Sequence, residues 1–437
     1  MRRRLPVAVT ALAVASGVFA FVLGQPPGAR PGPAVAFGSP SPAISAAASP
    51  LGSAPPSFVP SSAPPSTGPT SPPVVPTSTS QLAKALQASL DRFRKKAGIP
   101  GVSATVMFPD GTSWTGVSGL AVVASKLPVA PDTAFAVGSI SKTFLATLVL
   151  ELASEGKIDL AASVAKYLPT IRIDSKITVR ELLDHTSGLF DFFFAPGIDR
   201  ALQGNPTAEW TPTKTLTFVR KPYFKPGKGW HYSNTNYLLL GMIAEEVSGT
   251  TLAEQYRTRF FTPLAMTTAF YQAVETPRGA TAHGYRFRGS NPRAIDLSDG
   301  TGIVPFRSVV TAAAGAGSIA ASSADIARWA QGLYGGRVLS PGDLALMIGD
   351  VGQTAKFHPR IAYGFGVQAV KVNGYRAYGH SGRLQGFQAV VRYLPDQRVT
   401  VAVLTNQSRS DPAIILRELV RVALPAPGGC DNCPPAP

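Results

Sequence analysis

The sequence predicts an α+β protein built around one antiparallel sheet. Strands from both ends of the folded part of the chain are expected to complete this sheet. Runs with strand-like composition lie near both ends, at residues 102–117 and 364–405. A helix is expected before the first run, at 81–97, and another after the last run, at about 411–423. Helical patterns dominate the region between the runs. Strands at both chain ends with helices segregated from them are typical of an α+β fold.

The N-terminal elements follow from periodicity and turn composition. The helix at 81–97 carries apolar residues at helical spacing: Leu82, Leu86, Leu90 and Phe93. Two β-like runs follow, Val102–Phe108 and Thr112–Val117. The turn residues Pro109-Asp110-Gly111 between them predict a β-hairpin.

The later elements are indicated by apolar runs and glycine stops. A strongly apolar helix is expected over 139–155 and another over about 235–247, and each is followed closely by a glycine that ends it. Residues 250–360 predict a mixture of helix and loop. Four short β-rich runs then predict a meander: 364–371, 375–380, 386–394 and 398–405.

Composition divides the chain into segments. Its 437 residues are 45% hydrophobic and 15% charged, which allows a large core and excludes wholesale disorder. Residues 24–80 are rich in Pro, Ser, Ala, Thr and Gly with one charge, Arg30, and predict a disordered linker. Residues 81–424 form the expected folded domain. Residues 425–437 are again rich in proline and predict a flexible tail.

Residues 1–23 predict export from the cytoplasm. Arg2, Arg3 and Arg4 precede an uncharged stretch, Leu5–Leu23, in the order of an export signal. The stretch is long for a signal peptide and just long enough to span a bilayer. A cleaved signal peptide and an uncleaved anchor that tethers the domain to a membrane are therefore both open. The protein is expected to be secreted or anchored in the cell envelope.

Charge and cysteine content exclude several classes of function. The net charge is +16; residues 1–80 hold four arginines and no acid, so residues 81–437 carry +12. These charges are dispersed, and no DNA-binding motif is present, so no nucleic-acid partner is expected. The chain has two cysteines, Cys430 and Cys433, and both lie in the tail, where they are expected to form a small disulfide or to stay unpaired. Two cysteines are too few for a fold held together by disulfides. No HExxH sequence occurs, and no metal or cofactor is expected.

A candidate nucleophile lies at the start of the apolar helix. Ser139 and Lys142 are three residues apart, so on a helix they share one face. Serine needs a neighbouring base, and apolar surroundings can depress a lysine pKa enough to supply one. A second SxxK sequence at 154–157 is interrupted by Gly156, which breaks a helix. Taken alone, an SxxK sequence most often consists of a serine that caps a helix N-terminus and a lysine on the surface.

Two further short motifs follow in order. Tyr232-Ser233-Asn234 lies 93 residues after Ser139, at a turn into a helix. The phenol can relay a proton if the lysine charge lowers its pKa, and the Asn234 amide can hold Lys142 and substrate. The third motif, 380–382, lies 148 residues after the tyrosine in a β-like run. Its glycine permits close pairing with a substrate backbone.

The triple SxxK, YxN and (K/H)xG resembles the serine β-lactamase and penicillin-binding family. It is similar to the branch that holds class C β-lactamases and secreted D-alanyl-D-alanine carboxypeptidases, and the resemblance covers roughly residues 82–424. Four stretches carry it: 137–142, 183–189, 232–237 and 378–382. It implies a β-lactamase/transpeptidase-like fold, Ser139 as acylated nucleophile, and proton transfer shared by Lys142 and Tyr232.

The resemblance also implies a substrate-binding set along the second and third motifs: Asn234, His380, Ser381, Gly382 and Arg383. The backbone N–H groups of Ser139 and Arg383 are expected to form an oxyanion hole. We further expect the Arg383 side chain to recognise a substrate carboxylate, because His380 stands where class C β-lactamases carry a charged lysine. Asp184–Gly188 is interpreted as a structural turn. Phe192–Phe194 is expected either to line the cleft or to pack beneath a loop.

The function expected from these residues is that of an exported, monomeric serine hydrolase acting on D-alanyl-D-alanine peptides of the cell wall. A β-lactamase or a small-ester hydrolase on the same machinery is the alternative. A non-catalytic wall-binding module is the alternative of a different class. No GxSxG elbow of an α/β hydrolase is present.

Overall fold

The computed structural model describes residues 78–287, 293–357 and 362–424. The expected signal segment, nearly all of the expected linker and the tail with Cys430 and Cys433 lie outside the described residues. Helices α1 to α13 are Ser78–Ala97, Ser141–Ser154, Val164–Tyr167, Val179–Leu183, Ile198–Gly204, Pro212–Leu216, Asn234–Ser248, Leu252–Tyr256, Arg307–Ala313, Ser323–Tyr334, Pro341–Gly349, Val351–Ala355 and Ala413–Ala423. Strands β1 to β13 are Gly101–Met107, Ser113–Val122, Leu127–Pro128, Phe135–Ala136, Phe270–Tyr271, Tyr285–Phe287, Ala294–Asp296, Ile319–Ala321, Ala362–Tyr363, Gln368–Val372, Tyr375–Leu384, Phe387–Leu394 and Val399–Thr405.

An eight-stranded antiparallel sheet organises these elements. Its strand order is β3-β2-β1-β13-β12-β11-β10-β9, so the first long strand pairs with the last. The register of that central pair runs from Val102 opposite Thr405 to Met107 opposite Thr400. The predicted α+β class, with a sheet closed by N- and C-terminal strands, is confirmed.

The two faces of the sheet bury separate apolar cores. On one face α1 and α13 pack over β1 and β13, and the core there includes Leu86, Leu90 and Leu419, all fully buried. Each such side chain contributes about 1.5–3 kcal/mol through burial. The other face packs against the helical region around α2, α7 and α10. No helix within the described ranges has the length and hydropathy that a bilayer crossing requires.

Helix α2 is buried on nearly all sides at the centre of the helical region. Phe144 stacks on Trp329 with ring centroids 3.9 Å apart, and the Trp329 indole donates to Thr143 Oγ1 at 2.7 Å. Stacked aromatic rings and a satisfied buried indole hold a helix in one position. The first turn of α2 is therefore a rigid platform.

The structure differs from the predicted elements at several boundaries. Helix α1 begins at Ser78, three residues before the expected start. The expected helix at 139–155 is a 3₁₀ turn, Gly138–Ile140, followed by α2. The region 250–360 contains strands that the sequence analysis missed, because runs of two or three residues are too short to show alternation: β5, β6, β7 and β8.

A buried carboxyl pair gives the domain a predicted pH dependence of stability. Burial raises the pKa of Asp184 to about 7, and the neighbouring Asp350 carboxylate raises it further. Because its folded pKa exceeds the unfolded value near 4, this carboxyl binds a proton more tightly in the folded state. Its contribution to the free energy of unfolding therefore falls as pH rises from about 4 to 7. Asp184→Asn should lower stability less, or raise it, at pH 8 compared with pH 4.5.

Thermal unfolding between pH 4.5 and 8.5 measures this effect. Asparagine keeps an Oδ1 acceptor for Thr186, which donates to Asp184 through its backbone N–H at 2.9 Å. Asp174→Asn is the matched control. Asp174 also accepts from the N–H of the residue two positions later, Lys176, but it lies in an exposed turn. If the pH dependence of Tm is the same in Asp184→Asn and wild type, the buried pair does not control it.

Candidate active site

Ser139 and Lys142 meet at the junction of the 3₁₀ turn and α2. Ser139 is half-buried and Lys142 has no exposed surface. Lys142 Nζ lies 3.1 Å from Ser139 Oγ. The apolar packing around α2 explains the burial of the lysine, and the three-residue spacing explains the contact.

Lys142 has two further partners, and both are acceptors. Its Nζ donates to Asn234 Oδ1 and to the Ala316 carbonyl oxygen, each at 2.7 Å. A neutral amine has two N–H groups and one lone pair. Because the two carbonyl oxygens take both N–H groups, the lone pair of the neutral form is left for the Ser139 hydroxyl. Burial lowers the pKa of Lys142 to about 7, so this neutral form is well populated at physiological pH.

Asp191 completes a chain of contacts that the sequence analysis missed. Its Oδ2 accepts from Asn234 Nδ2 at 2.8 Å, and its Oδ1 accepts from the Phe193 N–H at 3.1 Å. Asp191 is fully buried, which raises its pKa to about 6, while the Lys142 charge lowers it. It thereby orients the Asn234 amide with the oxygen towards Lys142. A lone aspartate in a loop carries no sequence signal for this position.

Tyr232 lies beside both residues. Its ring centroid is 4.9 Å from Lys142 Nζ, and its hydroxyl is buried next to Ser139. Burial raises the pKa of Tyr232 well above its usual value, and a hydrogen bond with Ser139 opposes this only in part. The lowering of this pKa that the sequence analysis expected from Lys142 is not found, because the loss of solvation raises the pKa instead. Tyr232 is therefore a neutral phenol at physiological pH.

His185 anchors the second motif. Its backbone is in the left-handed region, with φ +65°, and its Nδ1 accepts from the Ser233 N–H at 3.2 Å and from Asn236 Nδ2 at 3.0 Å. Burial lowers its pKa well below the usual value, so the ring is neutral. The ring centroids of His185 and Tyr232 are 4.4 Å apart. The turn at 184–188 therefore supports the loop that carries Tyr232 and Asn234.

Strand β11 places the third motif against Ser139. A Cβ at Gly382 would lie 1.9 Å from the Val137 carbonyl oxygen and 3.4 Å from the Ser139 nitrogen, so only glycine permits this approach. The Ser381 N–H points away from β12, since it donates to Gln368 Oε1 at 3.1 Å. Alternate N–H groups of a strand point to the same side. The Arg383 N–H therefore faces the same edge, beyond the end of β10 and beside Ser139.

His380 is enclosed beneath this strand edge. Its Nδ1 lies 2.6 Å from the Ser381 carbonyl oxygen and its Nε2 lies 3.0 Å from the Tyr363 hydroxyl. Burial, together with the Lys142 charge, lowers the pKa of His380 to about 3. The ring is thus neutral, with Nδ1–H donating to the carbonyl and Nε2 accepting from Tyr363.

Two arginines lie near the third motif in different environments. The Arg383 side chain is exposed, and it leaves β11 on the face opposite to His380, because the two are an odd number of residues apart. Arg392 on β12 is buried and donates to Gln368 Oε1 at 2.8 Å and to Ser381 Oγ at 2.9 Å. None of the ion pairs between described residues includes Arg392. It is a buried positive charge directly behind Ser381.

The aromatic run after Asp191 is graded in exposure. Phe192 is fully buried, Phe193 is half-buried, and Phe194 is 37% exposed. Phe192 therefore packs inside the protein, and of the three rings Phe194 has the largest exposed fraction. Within the described ranges, no three His, Cys, Asp or Glu side chains are placed to hold a metal ion together.

A serine beside a buried lysine, with a tyrosine hydroxyl next to the same oxygen and a glycine-flanked strand edge facing it, is an arrangement typical of serine hydrolases. The profile of the Beta-lactamase family matches residues 86–424, and the chain belongs to this family. The resemblance inferred from the motifs is therefore confirmed.

Curated relatives fall into two groups by name. Penicillin-binding protein 4 of Amycolatopsis lactamdurans is 29% identical over 73% of this chain and 84% of its own length. Penicillin-binding protein 4* of Bacillus subtilis (strain 168) is 29% identical over 66% of this chain and 64% of its own length. A D-aminopeptidase of Brucella ovis is 27% identical over 66% of this chain, which spans 52% of that protein.

Solved structures share the fold. A D-stereospecific amidohydrolase from Streptomyces sp. superposes with a TM-score of 0.63 at 28% identity, covering 75% of this chain and 94% of that chain. An octameric penicillin-binding protein homologue from Pyrococcus abyssi gives a TM-score of 0.62 at 24% identity over 79% of this chain and 76% of that chain.

Proposed function

We propose that this protein is an exported serine hydrolase that cleaves peptides ending in D-alanyl-D-alanine, acting as a carboxypeptidase through an acyl-enzyme on Ser139. The observation that carries the catalytic part is the environment of Lys142, whose two N–H groups are held by Asn234 and Ala316 while its lone pair faces Ser139. A lysine held in this way is a general base for the serine.

The proposed reaction has two steps. Ser139 Oγ attacks the carbonyl carbon of the scissile bond while its proton passes to Lys142 Nζ. The carbonyl oxygen becomes an oxyanion between the N–H groups of Ser139 and Arg383. The C–N bond then breaks, and the leaving amine takes the proton of the neutral Tyr232 hydroxyl, which receives the Lys142 proton in the same step. Water cleaves the resulting ester by the reverse proton path and restores Ser139.

The substrate class rests on the names of the relatives. The two penicillin-binding proteins support a cell-wall peptide or its β-lactam mimic. A second candidate is hydrolysis of D-amino-acid amides or N-terminal D-residues, which the Streptomyces amidohydrolase at 28% identity and the Brucella D-aminopeptidase support. Both candidates place a D-residue carbonyl at the same serine and differ in the groups on either side.

Mass spectrometry of the protein and of its products separates these candidates. The protein is incubated with an N-acylated D-Ala-D-Ala tripeptide, with D-alanine amide, and with nitrocefin, beside a Ser139→Ala control. Release of D-alanine from the tripeptide alone supports the carboxypeptidase. Release of ammonia from the amide alone supports the amidase, and rapid turnover of nitrocefin alone supports a β-lactamase. No turnover of any substrate and no acyl adduct with a fluorescent penicillin or a fluorophosphonate would support the non-catalytic module.

The Asp191 carboxylate is expected to set the pH dependence of acylation. Burial lowers the pKa of Lys142 to about 7 and the Asp191 charge raises it. The base is active when neutral, so kcat/KM should rise with pH through about 7. Asp191→Asn removes the charge and keeps an acceptor for Asn234, so the acid limb should move to lower pH, by roughly one unit.

The pH profile of kcat/KM on a neutral ester measures this shift. Asp199→Asn is the control, because Asp199 is a partly buried carboxylate outside the Lys142 contacts. An unchanged acid limb in Asp191→Asn, together with reduced thermal stability, would assign Asp191 a structural role only.

Arg383 is predicted to recognise the substrate carboxylate from the exposed end of β11. A guanidinium holds a carboxylate through two parallel hydrogen bonds. Loss of such a contact costs about 2–3 kcal/mol, so Arg383→Ala should reduce kcat/KM on substrates with a free carboxylate tens- to hundreds-fold more than on neutral esters. The backbone N–H remains for the oxyanion.

Arg392→Met is the matched comparison for this prediction. Arg392 is buried and donates to Ser381 of the third motif, whereas the Arg383 side chain is exposed to solvent. Selective loss in Arg392→Met with none in Arg383→Ala would move carboxylate recognition to Arg392 and Ser381. Equal losses on both substrate types in Arg383→Ala would leave Arg383 as an ordinary surface residue.

Export, the membrane tether, the linker at 24–80 and the monomeric state are parts of the same proposal. The names of the penicillin-binding relatives support an extracytoplasmic location. Light scattering of the purified full chain tests the monomer, and protease accessibility in intact cells tests export.

A further inference from the structure

The carbonyl that binds one N–H of Lys142 belongs to a tight turn between α9 and β8. This turn, here called the 314–317 turn, consists of Ala314, Gly315, Ala316 and Gly317, and the buried Ala316 presents its carbonyl oxygen to Lys142 Nζ at 2.7 Å. Ala314 has φ +42° and ψ −129°, a backbone conformation that a residue with a Cβ rarely adopts. Such strain persists only where the surrounding structure holds the backbone in place.

Two helices pack closely around Gly315. A Cβ on Gly315 would lie 2.6 Å from Leu145 Cδ2 on α2 and 3.0 Å from the Tyr237 carbonyl oxygen on α7. The backbone of Gly315 is not in the left-handed region, so the close contacts and not the conformation require glycine here. The end of the Leu145 side chain can move, but the Tyr237 carbonyl is part of the backbone of a buried helix. A side chain at 315 would therefore displace the turn.

Ser141 connects the turn to the segment that carries the nucleophile. Its side chain is buried, and its Oγ accepts from the Ile319 N–H at 3.1 Å. The Ile319 carbonyl accepts from the Val137 N–H at 3.0 Å. Ile319, two residues beyond the turn, is thus bonded to residues on both sides of Ser139 in the sequence. These bonds fix the distance between the turn and the first turn of α2, which carries Lys142.

The position of the Ala316 carbonyl decides what the amine of Lys142 can do. When both N–H groups of the neutral amine are bound, its lone pair keeps one direction, and here that direction is Ser139 Oγ at 3.1 Å. If the carbonyl withdraws, the amine can rotate and donate to Ser139 instead of accepting its proton. A carbonyl acceptor also stabilises the charged ammonium more than the neutral amine, so its withdrawal lowers the pKa of Lys142.

We propose that Gly315 and Ser141 are positioning residues for the acylation reaction. They hold the Ala316 carbonyl on Lys142 Nζ, so that the lone pair of this base stays on Ser139. The inference rests on the proposed function of Lys142 as the general base. Five titratable side chains on other elements lie near Lys142 and are unchanged in the variants below: Asp191, His185, Tyr232, Tyr237 and His380.

The pH profile of kcat/KM on a neutral ester, per active site titrated with a fluorophosphonate, tests the proposal. Gly315→Ala should lower the plateau at high pH about tenfold, since a misplacement of about 1 Å can cost about 100-fold and a smaller one is expected here. Ser141→Ala should lower it about fivefold, because the Ile319 N–H loses its acceptor and the turn is held less tightly. In both variants the acid limb should move to lower pH by about half a unit, because Lys142 loses an acceptor that favours its charged form.

Two control variants make the same chemical changes elsewhere. Gly279→Ala adds a methyl group where no described atom lies within 4 Å of the new Cβ. Ser103→Ala removes a buried hydroxyl on the central strand β1, which is hydrogen-bonded to Ser323 Oγ at 2.8 Å. Both controls should keep the wild-type plateau and the wild-type acid limb.

The proposal is overturned if Gly315→Ala and Ser141→Ala lower Tm but keep the wild-type plateau and acid limb, since both residues would then have a structural role only. An acid limb that moves to higher pH would overturn it as well. If one of the two variants does not fold, the profile of the other decides by the same criterion. A wild-type protein that turns over no ester and takes no acyl label would instead contradict the proposed function itself, and this inference with it.

Discussion

Ser139→Ala is expected to abolish covalent labelling by a fluorescent penicillin or a fluorophosphonate and to lower kcat by about 10⁴-fold or more. The Oγ that Lys142 Nζ approaches at 3.1 Å is the atom that forms the acyl bond in the proposed reaction, and no other hydroxyl is held in the same way by a buried lysine among the described residues. The fold should persist, because the serine is half-buried in the middle of a 3₁₀ turn and alanine fits there. Intact-protein mass spectrometry and a thermal melt measure the two effects.

Ser154→Ala is the control for this experiment, because residues 154–157 repeat the SxxK pattern. Ser154 Oγ donates to Asp343 Oδ2 at 2.9 Å, and Lys157 pairs with Glu155 at 2.9 Å. Neither contact resembles the Ser139 site, so labelling and turnover should remain at the wild-type level. Labelling that survives in Ser139→Ala and disappears in Ser154→Ala would refute the assignment of the nucleophile.

Lys142→Met is expected to have the second largest effect, a loss of about 10³-fold in kcat/KM. Methionine has a similar volume and no base, so Ser139 Oγ keeps its position and loses its proton acceptor; general-base catalysis contributes roughly 10²–10⁴-fold. The acid limb near pH 7 should disappear with the lysine. A moderate loss of stability is also expected, because Asn234 Oδ1 and the Ala316 carbonyl lose their shared donor.

The pH profile of turnover, with a thermal melt at each pH, separates the loss of the base from partial unfolding. Lys157→Met is the control, since Lys157 occupies the same place in the repeated pattern and is exposed. Activity of Lys142→Met within tenfold of wild type, with the acid limb retained, would assign the base to another residue.

Asp191 extends the Lys142–Asn234 contact into a chain of three polar groups. The carboxylate holds Asn234, and Asn234 holds Lys142, at successive distances of 2.8 and 2.7 Å. In a fully buried site such charges interact strongly. Burial lowers the pKa of Lys142 and the Asp191 charge raises it, and the balance leaves this pKa close to physiological pH.

The main sequence predictions depended on local spacing. The three-residue interval of Ser139 and Lys142 was enough to predict their contact, because a helical turn brings such positions together. The β-rich runs at both ends of the domain were enough to predict the closed sheet. Short strands such as β5 and β8 were missed, since two or three residues show no periodicity. The sequence also did not show that Gly138–Ile140 is a 3₁₀ turn and not the first turn of the α-helix.

The sequence by itself determined the fold class, the family and the identity of Ser139, Lys142 and Tyr232 as one group, because these depend on patterns along the chain. Only the tertiary structure decided the charge states. It brought Asp191 to Asn234, enclosed His380, raised the pKa of Tyr232 and set Arg392 behind Ser381. Burial is a property of packing between distant segments, and the protonation of a buried group follows from its loss of water and from the charges that packing places beside it.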